Sequence, residues 1–200
     1  MRKWMKRIFA WLICLLIAAA GIRFGPNLYV RLFGNPNAQW ISETYTETLR
    51  EKNELVVYEL ETTGQETITQ DAWLIGTVQK VELPYTFQLL YTVDLSQAAV
   101  TVEGSIIRVI IPAPEARYPK LVVDEANMRK VDWLYPLTPE RYETMQRELE
   151  NRLVEANASH PQYLSDAWDT AVRNLNALFA PLMEPGLLAV DYTLEIVQQS

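Results

Sequence analysis

An uninterrupted apolar run, Ile8 to Ile22, stands directly behind four basic residues, Arg2, Lys3, Lys6 and Arg7. A helix of that length is about 22 Å long at 1.5 Å per residue, somewhat short of the bilayer's hydrocarbon core. Trp4 and Met5 lengthen it at one end and Phe24 at the other, while Lys6, Arg7 and Arg23 reach toward the headgroups. A basic cluster ahead of an apolar segment stays in the cytoplasm, and the chain beyond it is exported. The same residues also read as a signal peptide, with Ala18-Ala19-Ala20 as small residues at a cleavage site before Gly21. Residues 1–24 are therefore an anchor that meets the lipid bilayer through residues 4–24, or a cleaved leader. Both readings put the rest outside the cytoplasm. The anchor reading makes this a single-pass cell-membrane protein with a cytoplasmic N-terminus.

Charge supports the same polarity. Five of the 18 Lys and Arg lie in the first 23 residues, whereas none of the 25 Asp and Glu precedes Glu43. The exported part is thus strongly acidic, which argues against nucleic acid as a partner. A single Cys, Cys14 inside the apolar run, excludes an intramolecular disulfide framework and a cysteine-rich zinc module. Leu12 and Ile13 ahead of it are not the small residues of a lipoprotein cleavage site. With 49% hydrophobic and 22% charged residues the chain has a globular composition, not that of a disordered or polytopic protein.

Residues 25–39 hold two breaker clusters, Gly25-Pro26-Asn27 and Gly34-Asn35-Pro36-Asn37, and read as a linker. Residues 40–200 form the exported domain. Trp40 to Asn53 suits a helix of two or three turns, with Thr44 and Glu47 as a capping box. Glu54–Thr63 and a return run from Thr67 suggest a hairpin turning at Thr63-Gly64-Gln65. Ala72–Leu83 alternates like a strand, and Pro84 bends it or puts it at an edge. Tyr85–Asp94, Val100–Val102 and Ser105–Ile111 are further strands. The continuous aliphatics Ile106 to Ile111 imply burial on both faces. Pro112-Ala113-Pro114 stops that run, Tyr118-Pro119 reads as loop, and Lys120–Asp124 as a short strand.

The period then changes. Thr138-Pro139 opens a helix, with Thr as N-cap and Pro in the first turn. Glu143 with Arg147, and Glu148 with Arg152, are i,i+4 pairs. Ser159-His160-Pro161 breaks and restarts the helix, and Leu164, Trp168, Val172, Leu175, Phe179 and Leu182 make a second apolar stripe. Leu187–Val197 alternates as a closing strand. The expected fold is α+β: an N-terminal membrane helix, then a mainly antiparallel sheet packed against a C-terminal helical hairpin and closed by a final strand.

Two segments carry a family likeness: Tyr91-Thr92-Val93-Asp94-Leu95-Ser96, and the β run ending in Ile111-Pro112-Ala113-Pro114-Glu115. With the Pro136-to-Pro139 helix start and the terminal helix and strand, residues 45–197 resemble the bacterial family called domain of unknown function 4230. Thr92 replaces a small residue of that pattern and Ile111 a Leu. The resemblance implies a membrane helix and an α+β domain, and brings no catalytic residues.

No nucleophilic set is evident. His160 is the single His and sits in a turn, and Cys14 lies in the apolar run. The sequence points to no metal site and no cofactor. Asp94, after an aromatic strand and before Leu95-Ser96, suits a turn cap or a ligand contact. Trp133 and Tyr135, in the apolar loop Trp133-Leu134-Tyr135-Pro136, suit a recognition patch or a lid over the core. The expected function is a membrane-anchored, extracytoplasmic domain that binds a ligand, a protein partner or its own copy at the bacterial envelope. The alternative is an envelope hydrolase using two facing carboxylates.

Overall fold

The computed structural model describes residues 37–72, 76–132, 136–184 and 191–199. They form an α+β fold that divides into two compact units. One unit comprises Asn53–Leu95 and Pro112–Arg173. The other comprises the described residues up to Lys52, Ser96–Ile111 and those from Asn174 onward. Among the described residues no helix is long and apolar enough to cross a membrane. The run Ile8–Ile22 and the 25–36 part of the linker lie outside them.

The first unit is built on a long antiparallel ribbon. Strand β1 (Glu54–Ala72) pairs with β2 (Gly76–Asp94) over nearly its whole length. The opposite edge of β2 is shared by β5 (Glu115–Val123) and β6 (Arg129–Asp132). No turn forms at Thr63-Gly64-Gln65. Gly64 lies opposite Tyr85, and a Cβ at Gly64 would stand 2.6 Å from the Tyr85 hydroxyl. The tyrosine thus closes over the glycine, and the strand continues where local signals suggested reversal. Pro84 is accommodated by position. Its carbonyl accepts from the Asp124 amide at 2.9 Å, so its missing N–H faces the gap between the β5 and β6 pairings.

One face of the ribbon is closed. Val81, Leu83, Phe87, Leu89, Tyr91 and Val93 alternate along β2 with no exposure. Helix α2 (Pro139–Asn157) lies over β5 and β2. Its Met145 packs with Val81 and Leu83, and Tyr142, Ile68, Val123, Met128 and Leu137 pack around them. Full burial, as at Val81, Leu83 and Met145, stabilises by about 1.5–3 kcal/mol per side chain. Thr138 caps this helix as predicted, accepting from the Arg141 amide at 3.3 Å with Pro139 in the first turn. Arg152 bonds Glu66 of β1 at 2.8 Å, a cross-element pair that the helical spacing does not reveal.

The second unit holds α1 (Ala38–Lys52) and a sheet ordered β3-β4-β7, from Ala99–Glu103, Ile106–Ile111 and Thr193–Gln198. The helix begins six residues before Thr44, whose carbonyl accepts the Thr48 hydroxyl at 2.8 Å, so no capping box forms there. It ends at Asn53, which takes the left-handed conformation (φ 63°) that Asn tolerates. Gly104 (φ 62°) turns β3 into β4. Strand β4 is not sealed on both sides. Ile107, Val109 and Ile111 are buried, while Ile106, Arg108 and Ile110 are half-buried. Strand β7 joins β4 in parallel, so it extends this second sheet and not the long ribbon.

Helix α3 (Pro161–Phe179) has its residues through Arg173 in the first unit and the rest in the second. Its most buried positions are Ala167, Ala171, Leu175 and Phe179, with Trp168 only half-buried. Phe179 stacks on Tyr45 of α1 at 4.6 Å.

Candidate interaction surface

Three strand termini of the ribbon meet near Glu54. Asp94, the last residue of β2, lies directly opposite Glu54, the first of β1. Asp94 is half-buried, and a short 3-10 turn, Leu95–Gln97, follows it. From β5, the Tyr118 hydroxyl donates to Glu54 Oε2 at 2.9 Å, with β2 between the two strands. Arg117 lies 3.7 Å from Glu54 Oε1 and 3.0 Å from Glu115. Glu54 Oε1 is buried without a hydrogen bond of its own, so the guanidinium is its nearest compensation.

The local fold explains why these side chains converge. Tyr118-Pro119, expected as loop, lies within β5 as a bulge that sets two residues against Leu89 of β2. Tyr118 takes φ 54°, which re-aims its side chain and leaves it 57% exposed. The bond to Glu54 raises the Tyr118 pKa, and the Glu115 carboxylate raises that of Arg117. The cluster can bind polar and charged groups, and its five residues offer carboxylates, a phenol and a guanidinium but no Ser, Cys or His.

Trp133 and Tyr135 lie outside the described residues. Of the three candidate residues, Asp94 therefore stands with Glu54, Glu115, Arg117 and Tyr118, which sequence reasoning did not single out. The Tyr118-Pro119 dipeptide was visible, but its placement inside a strand depends on pairing with β2.

The remaining face of the ribbon is open and mixed. Val56 and Val122 are each 51% exposed, and Gln88 donates to Glu61 at 3.2 Å. Lys80 bonds Glu82 at 2.7 Å and holds that carboxyl below its usual range. His160 is exposed in the turn before α3, its ring tilted against that of Tyr163 with centroids 4.4 Å apart. Among the described residues no group of three or more His, Cys, Asp and Glu is arranged to hold a metal ion.

Residues 47–192 match the family described as protein of unknown function (DUF4230). No curated protein and no solved structure matches the chain. Because that match spans well over half of the sequence, from within α1 through α3, the chain belongs to the DUF4230 family.

Proposed function

We propose that this chain is a single-pass membrane protein of the bacterial envelope whose α+β domain lies outside the cytoplasm and binds a protein partner. The basic and apolar N-terminus supports the location. The observation that carries the binding role is the open side of the β1-β2-β5 sheet. There Val56 and Val122 stay exposed among charged residues, and the Tyr118 cluster stands close by.

The test is photo-crosslinking in cells, with the probe at Val56 or Val122 of the full-length chain and at buried Ile107 as control. Protease accessibility on intact spheroplasts reports the side of the membrane. One reproducible adduct from the exposed positions, with the domain cleaved from outside, is the expected result. Absence of any adduct, or a domain protected from external protease, overturns the reading.

A further inference from the structure

We infer that the free edge of β1 is a docking strand for an extended, basic segment of a partner protein, which joins the sheet beside residues 59–69. This inference rests on the reading that the domain binds a protein.

Strand β1 bonds β2 along one edge, and among the described residues no strand pairs with the other. Register is unbroken from Tyr58 to Gln70. The Pro84 carbonyl faces β5, so its opposite number, Gln65, turns its own N–H and C=O away from β2. The two-residue period extends this to Glu59, Glu61, Thr63, Thr67 and Thr69. All six side chains are exposed.

Two other edges among the described residues are protected. That of β5 carries a bulge, Pro119 and Lys120. That of β3 is covered by α1. There Ser42 donates its hydroxyl to the Val100 carbonyl, Thr46 accepts from the Val100 amide at 3.0 Å, and Arg50 donates to the Ala98 carbonyl at 3.3 Å. Between Tyr58 and Gln70, β1 has no Pro, no Lys and no bulge. A long unprotected edge is a template for strand addition.

Charge selects the occupant. Strand β1 carries Glu54, Glu59, Glu61, Glu66 and Asp71 and neither Lys nor Arg. In-register parallel pairing with the β1 of a second copy sets Glu59 and Glu61 against themselves, which like charges on facing strands disfavour, and antiparallel pairing over 59–69 sets them against Thr69 and Thr67 and gains no ion pair. An incoming segment places alternate residues beside Glu59 and Glu61, where Lys or Arg fits. Its intervening residues lie beside Leu60, Thr62 and Ile68, where aliphatic side chains fit. Glu66 is already engaged by Arg152.

The experiment uses the full-length chain in neutral detergent micelles and three labelled octapeptides. One alternates Lys and Val, one alternates Glu and Val, and one has four Lys followed by four Val. Fluorescence anisotropy measures binding, and amide hydrogen exchange locates it. The alternating Lys peptide is expected to bind and to slow exchange at the outward amides of residues 59–69. Joint Glu59→Lys and Glu61→Lys substitution is expected to weaken it by about tenfold, two exposed ion pairs being lost and made repulsive. The same variant is expected to favour the Glu peptide. Gln65→Pro, which removes an outward N–H and the side-chain bond to Glu82 but leaves the backbone bonds to β2, is expected to abolish protection.

Equal binding of the block peptide, protection elsewhere, no binding, or a dimer formed through residues 59–69 each overturns the inference. The Gln65→Pro variant also separates it from the broader reading. If that variant keeps the crosslinked partner at Val56 or Val122, the edge is wrong and the binding role stands. If the unaltered chain has no partner, both fail.

Discussion

Tyr91→Phe tests the core of the ribbon with the smallest change. Tyr91 is fully buried, its ring lies 5.7 Å from that of Tyr58 and 6.2 Å from that of Tyr163, and its hydroxyl donates to the Asn157 carbonyl at 2.7 Å. The substitution keeps the ring and removes one hydrogen bond. That carbonyl also accepts from the His160 amide at 2.9 Å, so it is not orphaned. The expected loss at neutral pH is therefore about 1 kcal/mol, near the ordinary net value of a hydrogen bond and below the cost of an unpaired buried acceptor. Burial, then the neighbouring Tyr163 and Tyr58, raise the Tyr91 pKa from 10.0 to about 12. The native state therefore holds this proton more tightly than the unfolded chain does. The resulting stability is complete below the unfolded pKa and fades as pH rises through the folded one. At pH ~11 the loss amounts to about 1.4 kcal/mol, one pKa unit's worth. The Phe variant is spared it, so the two proteins should have nearly equal stability there. Urea unfolding of the full-length chain in micelles, at pH ~7 and ~11, measures both gaps. Equal stability at neutral pH, or a gap that does not close in alkali, refutes the reasoning.

Gly64→Ala should destabilise by about 1–3 kcal/mol through overpacking against Tyr85, and a double-mutant cycle with Tyr85→Ala should recover most of that loss. Thr46→Val should cost about 1–3 kcal/mol by leaving the Val100 amide without its acceptor, and exchange at that amide should accelerate. Thr138→Ala, which removes the N-cap of α2, should lower stability by about 1 kcal/mol in the same denaturation assay. Lys80→Met should move the Glu82 pKa upward toward the ordinary carboxylate value, read by carbon-13 titration of its carboxyl.

Local chemistry made much of the element list readable. Thr138-Pro139 announced α2 because capping and proline's fixed φ act within one turn. Gly104 and Pro112-Ala113-Pro114 bounded β4 for similarly local reasons. Where local signals failed, a distant residue had changed their meaning. Gly64 continues a strand because Tyr85 covers it, and Tyr118-Pro119 stays within β5 because β2 supplies its ladder. Trp168 shared the helical stripe, yet Ala167 and Ala171 are buried more deeply, since small residues allow closer approach.

Of the residues in this cluster, sequence reasoning had singled out Asp94. Its companions Glu54, Glu115, Arg117 and Tyr118 lie far apart in the chain and read singly as solvated charges or loop. Composition, the start of α2 and the acidic character of β1 need nothing beyond residue order, because capping, periodicity and charge belong to short segments. Which strands become neighbours is another matter. The parallel union of β7 with β4, the cover that α1 gives β3 and the unpaired edge of β1 all depend on residues brought together across long stretches of chain. Pairing free energy resides in those contacts and in no segment alone, so only the folded chain could decide them.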